Sequence, residues 1–171
     1  MNITKSAGVI IGIIIGLIIS YFAIKFFNKD GKIRTEYDEM QENIRGKAYR
    51  IAFFTLIILL ALLMVLSIAE IELPMTNSVL YFALILIGIA VQAGYSILHG
   101  AYFGLNNNKA KFWGVMIAVT IVNLLVGIRA IVAGEIFVDG KLQDPCVNLL
   151  CALLFAMIAV LVAIPKKADE E

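Results

Sequence analysis

Of 171 residues, 61% are hydrophobic and only 16% charged, with 14 Lys and Arg set against 13 Asp and Glu. That balance excludes a soluble domain of average makeup, and nothing in it reads as a nucleic-acid footprint. The net charge of +1 hides an uneven distribution, which is where the information lies.

Five apolar runs follow one another at residues 7–27, 49–71, 79–102, 112–133 and 146–164. A bilayer core about 30 Å thick takes about 20 apolar residues per helix. The expected fold is therefore all-α, an integral membrane bundle of five transmembrane helices forming one membrane domain over 1–171. Residues 28–48 make a cytoplasmic loop and a helix that extends the second span.

The first run is too long for a cleaved signal peptide, and no small-residue cleavage site precedes Tyr21 and Phe22, so it reads as a retained helix. Gly8, Gly12, Gly16 and Ser20 recur every four residues and share one face. Small residues in that register let another helix approach closely. The occupant is either a homo-oligomer or membrane partner subunit, or one of this chain's own helices.

After the first span come Lys25, Lys29, Lys32, Arg34, Arg45, Lys47 and Arg50; Lys109 and Lys111 follow the third, and Lys166 and Lys167 follow the fifth. Cytoplasmic loops collect Lys and Arg. This pattern puts the N-terminus outside and the C-terminus in the cytoplasm. Thr35 and Asp38 resemble a capping box, while Tyr37, Met40, Ile44, Ala48 and Ile51 form a helical stripe. A helix is expected from about Glu36 into the second span, with Gly46 as a bending point. Its surface serves either to dock a partner or anionic lipid, or as a solvated collar.

Within the segment YDEMQENIRGKAYRIAFF, Asp38, Glu39, Gln41, Ile44, Arg45, Gly46, Lys47 and Ala48 form a D-E-x-Q…I-R-G-K-A pattern ahead of an aromatic-rich helix. This pattern resembles the juxtamembrane stretch of uncharacterised small multi-pass membrane proteins of low-GC Gram-positive bacteria. The resemblance covers under a fifth of the chain. It implies a bacterial plasma membrane and carries over no activity.

Polar residues at membrane depth are costly unless paired or wet. Gln92, Tyr95, Ser96, His99 and Tyr102 share one side of the third helix; Trp113, Met116, Thr120, Asn123 and Gly127 share one side of the fourth. The Asn106, Asn107, Asn108 turn is short enough to make these helices antiparallel neighbours. Gln92 then reaches the level of Thr120 and Asn123, and Gln92, Ser96, Thr120 and Asn123 form an intramembrane polar cluster, as a clasp or as a path. His99, the only histidine, reads as a cap at the helix end.

Arg129, one turn inside the fourth span, either snorkels outward or pairs with Glu70, Glu72 or Glu135 at the same face; an outer ion pair with Glu70 or Glu135 is the expectation. Residues 134–145 read as a hairpin, turning at Asp139-Gly140. Cys146 and Cys151 fit neither a redox pair nor a zinc knuckle; they read as small apolar fillers, Cys146 near enough to the surface to react. No phosphate-binding glycine loop, His-Glu-x-x-His helix or Gly-x-Ser-x-Gly elbow occurs, so no catalytic, cofactor or metal residues are assigned. The partners expected are the lipid bilayer and other membrane helices, with no nucleic acid and no small-molecule ligand. The sequence reads as a non-enzymatic integral membrane protein, an accessory or regulatory subunit acting by helix–helix association. The alternative is a small oligomeric transporter or channel using the polar faces of helices three and four, although no internal repeat supports it.

Overall fold

A computed structural model describes residues 3–164 of the chain. Five α-helices carry the architecture: α1 (Ile3–Phe27), α2 (Glu39–Ile68), α3 (Asn77–Leu98), α4 (Lys109–Val132) and α5 (Val147–Ala163). Two short strands, β1 (Phe137–Val138) and β2 (Lys141–Leu142), and a 3-10 turn at Asp144–Cys146 lie between α4 and α5. The fold is an all-α bundle with one small hairpin. Helices α2, α3, α4 and the turn-plus-α5 segment Asp144–Ala163 are long and apolar enough to cross a membrane, and the chain is membrane-embedded. In α1 the apolar run described is the shorter Ile14–Phe27. The side chains of residues 3–10 and 13, and the tail with Lys166 and Lys167, lie outside the described residues.

Lipid-facing surface is evident in what the helices leave uncovered. Ile58 is 67% exposed, Leu125 62% and Leu153 69%, which water would penalise at about 25 cal/mol per Å² and hydrocarbon does not. Inside lipid, helices associate through packing and close approach of small residues. Gly88 of α3 lies against Leu56 of α2, Gly94 of α3 against Leu161 of α5, and Gly127 of α4 against Leu149 of α5. The neighbours run in the order α2, α3, α5, α4, with α1 touching α4 at one end.

That order corrects the expectation that α3 and α4 are direct neighbours. The short linker joins them, but α5 is inserted between. Leu154 and Ile158 of α5 share one buried cluster with Ala93 and Ile97 of α3 and Met116 of α4. The glycines on both flanks accept the leucines of α5, which a side chain at Gly127 would obstruct.

Local signals explain the element ends. Asp38 caps α2: its carboxylate accepts from the Gln41 backbone N–H at 2.7 Å, and the Gln41 side chain accepts from the Asp38 N–H at 3.4 Å. The capping box is thus Asp38/Gln41, three residues beyond the Thr35/Asp38 pair expected. Tyr37 falls outside the helix, Met40 is 72% exposed, and the buried α2 residues are Ala48 and Ala52. Thr76 caps α3 and Asn108 caps α4 through side-chain oxygens.

The hairpin between α4 and α5 turns at Asp139 and Gly140, both with positive φ, the conformation that suits a two-residue connection. It is fastened to the α2–α3 loop: Thr76 N–H donates to the Leu142 carbonyl at 3.0 Å and Leu142 N–H to the Pro74 carbonyl at 2.9 Å. Asp144 accepts from the hydroxyls of Thr76 and Ser78 at 3.1 and 2.6 Å. The adjoining turn buries Cys146, so the expected surface-reactive thiol is enclosed.

Candidate functional site

At the opposite, basic end, two loops are locked together by asparagines. Asn28, 3% exposed, follows α1; its amide donates to the carbonyls of Lys32 at 2.7 Å and Arg34 at 3.3 Å. Its Oδ1 accepts from the Asn107 amide at 2.6 Å. Asn106 donates to both Asp30 oxygens at 3.3 Å and to the Arg34 carbonyl at 3.1 Å, and accepts the Glu36 N–H at 3.0 Å. Backbone bonds reinforce the junction: Lys29 N–H to the Asn106 carbonyl and Asn108 N–H to the Phe27 carbonyl, each 2.7 Å. Gln41 adds donation to the Gly100 and Phe103 carbonyls at 3.2 Å. A polar network centred on the buried Asn28, with its bonds satisfied, favours one arrangement of the two loops.

Beneath this latch is a cavity of about 230 Å³. Its apolar wall comes from Ile24 and Phe27 of α1, Phe112 of α4, and Tyr102 and Phe103 of the α3–α4 loop. Phe112 meets Phe27, Tyr102 and Phe103 edge-on at ring distances of 5.7, 5.6 and 5.0 Å. Its polar wall holds Asn28, Asn107, Asn108, Thr35, Tyr37 and Arg45, and no acidic residue lines it. The Arg45 guanidinium lies 4.0 Å over the Tyr37 ring and donates to the Tyr37 hydroxyl at 2.8 Å and the Tyr49 hydroxyl at 3.3 Å. Among the described residues it has no carboxylate partner.

Burial raises the Tyr37 phenol above its ordinary range, against the pull of Arg45, and pushes Tyr102 up to about 12. Asp30 is held below the usual carboxylate range, first by the Lys32 backbone N–H and further by the Asn106 amide and the Lys32 charge.

The residues singled out in the sequence are distributed differently. On α1, Gly12 and Gly16 meet nothing within 4 Å, and the Ser20 hydroxyl donates to the Gly16 carbonyl at 2.8 Å. The surroundings of Gly8 lie outside the described residues. Among the described residues, Gly12 and Gly16 are not packed against the chain's own helices. Gln92 donates to Ser96, one turn along α3, at 3.3 Å. Thr120 and Asn123 donate to the carbonyls of Met116 and Val119 at 2.7 and 2.9 Å. The four polar residues are each satisfied within their own helix, so no bond joins α3 to α4 there.

Arg129 forms no ion pair with Glu70 or Glu135. The pair at that end is Lys141 with Glu72, 2.7 Å apart, because the hairpin strand carries Lys141 across to the α2–α3 loop. That bond holds Glu72 below its ordinary value. His99 stands at the C-cap of α3, stacked on Tyr95 at 4.0 Å, with Nδ1 2.8 Å from the Tyr95 carbonyl.

The latch and the Arg45 cavity were missed in the sequence. Their signal was there in part: three consecutive asparagines, of which Asn106 and Asn107 meet Asp30 and Asn28 while Asn108 caps α4, and Arg45 spaced from Tyr37 and Tyr49 so that both rings can reach it. No protein-family model, curated protein or solved structure matches the chain.

Proposed function

We propose that the chain is a non-enzymatic integral protein of a bacterial plasma membrane, an accessory or regulatory subunit that works by presenting α1 to another membrane helix. The observation that carries this reading is the open small-residue face of α1: Gly12 and Gly16 have no neighbour within 4 Å, while Gly88 and Gly127 of the bundle are filled by leucines. In lipid a face of this kind gains by close backbone approach to a second helix. The basic loops at the latch end favour a cytoplasmic position for it, with the N-terminus outside. The competing transport reading needs a shared polar path. Its residues Gln92, Ser96, Thr120 and Asn123 bond within their own helices, which favours the association reading.

Crosslinking in native membranes tests the proposal. A Gly12→Cys variant is expected to trap one defined species, either a second copy of the chain or a hetero-partner. Gly16→Ile, which blocks close approach, is expected to abolish the product. Trapping that is diffuse, or unaffected by Gly16→Ile, overturns the association reading; solute flux abolished by Gln92→Leu replaces it with transport.

A further inference from the structure

Arg45 lines the cavity beneath the latch, and its guanidinium is held over the Tyr37 ring there. A guanidinium has five donor hydrogens in a planar fork. Two bonds go to the Tyr37 and Tyr49 hydroxyls, which leaves the other donors uncommitted at the wall of a space with no acidic lining. Stacking over Tyr37 fixes the fork and limits its hydration. A positioned, partly dehydrated guanidinium without a carboxylate is the arrangement that takes an oxyanion in bidentate fashion.

Size and surroundings narrow the ligand. The volume of about 230 Å³ falls below the roughly 300–1,000 Å³ of sites for drug-sized molecules, and suits one small anionic group. Asn28, Asn107 and Asn108 line the same wall, and the opposite wall is Ile24, Phe27 and Phe112. A group with an anionic head and an apolar attachment satisfies both. The cavity lies where the apolar runs of α1 and α4 end, the level of lipid phosphates.

We infer that this cavity binds a phosphate group, with the Arg45 guanidinium as its anchor and the aromatic wall excluding water. The phosphate belongs to a membrane lipid or to a free phosphate-bearing solute. Because α1 meets the rest of the chain at this cavity, the occupant lies between the end of α1 and the start of α4. The inference does not depend on α1 association: loss of phosphate binding leaves the crosslinking result untouched, and the reverse holds too.

The full chain, purified in nonionic detergent, is titrated with phosphatidylglycerol, with diacylglycerol and with inorganic phosphate. Bound lipid is counted by native mass spectrometry and protection is read from the melting temperature. The native chain is expected to retain one tight phosphatidylglycerol and to discriminate against diacylglycerol. Arg45→Gln is expected to weaken that site about tenfold, as for loss of a charged hydrogen-bond partner, while Lys47→Gln, on the same turn, leaves it unchanged. Protection by inorganic phosphate alone, lost in Arg45→Gln, identifies a free solute; protection by the lipid alone identifies a headgroup.

Equal affinity in the native chain and Arg45→Gln, equal weakening by Lys47→Gln, or diacylglycerol binding as tightly as phosphatidylglycerol each overturns the inference, as does failure of both phosphate probes to bind. If Arg45→Gln does not fold, Arg45→Lys replaces it. Lysine keeps the charge but loses the fork, so at least threefold weakening is expected, and native-like binding overturns the assignment.

Discussion

Asn28→Ala is the most direct perturbation of the latch. The side chain makes two short bonds, 2.7 Å to the Lys32 carbonyl and 2.6 Å from the Asn107 amide, and a longer one of 3.3 Å to the Arg34 carbonyl. A net hydrogen bond contributes about 1 kcal/mol, and an orphaned buried partner costs more. Water can reach the two loop carbonyls once the side chain is gone. The short bonds therefore dominate, at about 2 kcal/mol together. That loss falls on local opening of residues 28–38 rather than on the whole bundle. When opening is fast relative to cleavage, proteolysis follows the open population, so about 2 kcal/mol becomes roughly a 30-fold rise in rate. The assay is limited trypsin digestion in detergent, following cleavage after Lys29, Lys32 and Arg34, with Lys141 of the distant hairpin as the internal reference. Pairing Asn28→Ala with Asn107→Ala in a double-mutant cycle is expected to give a coupling of about 1 kcal/mol, because the two share one bond. Cleavage of Asn28→Ala within twofold of the native rate at all three sites would refute the latch.

Gly127→Ala brings a methyl group against Leu149 and is expected to destabilise by about 1–3 kcal/mol, read as a lower melting temperature in detergent. Gly16→Ala, made where nothing lies within 4 Å, should leave that temperature unchanged; the reverse ranking contradicts the packing. Tyr102, held up to about 12 by burial, is expected to stay protonated while exposed tyrosines ionise. Phenolate absorbance at alkaline pH should then be equal in the native chain and Tyr102→Phe, and a deficit in the variant refutes the burial. The Glu72–Lys141 bond lowers the Glu72 pKa from its ordinary 4.5, so its contribution is complete above about 4.5 and disappears as pH falls through the lower folded-state value. Both side chains are exposed and the effect on stability is small. The Lys141 side-chain NMR resonance should move on acidification in the native chain and remain still in Glu72→Gln.

The helices were legible because apolar length in lipid is a first-order signal, and the Asp139-Gly140 hairpin because its turn chemistry is local. Neighbour relations were not. The Asn106–Asn108 turn correctly joins α3 to α4, yet a short linker constrains only the ends of two helices, and the residues that admit α5 between them are glycines whose partners lie far along the chain. The polar cluster failed for a related reason. A Thr or Asn in a helix can bond the carbonyl four residues back, as Thr120 and Asn123 do, so shared depth does not enforce a shared bond. Shared level does not pair Arg129 with Glu70 or Glu135 either, because the hairpin carries Lys141 to Glu72. Each asparagine of the latch, taken alone, is a capping or turn residue; only the long-range bond from Asn107 to Asn28 gives them a joint role.

An uncovered small-residue face carries little cost in lipid, where no hydrophobic force drives helices together, so the exposure of α1 alone decides little. The comparison inside the chain decides more. Gly88, Gly94 and Gly127 each have a leucine from a neighbouring helix in contact, whereas Gly12 and Gly16, with Gly114 on the adjoining α4, have none. The latch holds one end of α1 against the bundle. It binds residues 28–38 to the α3–α4 loop through Asn28, Asn106 and Asn107, which sets the end of α1 beside the start of α4, at the edge of the α2, α3, α5, α4 row. Phe27 against Phe112 and the Asn108 bond to the Phe27 carbonyl leave little freedom there. With its last turn held and its described glycines Gly12 and Gly16 unfilled, α1 meets the geometric condition on which the proposed association rests, and the Arg45 cavity lies beside its held end.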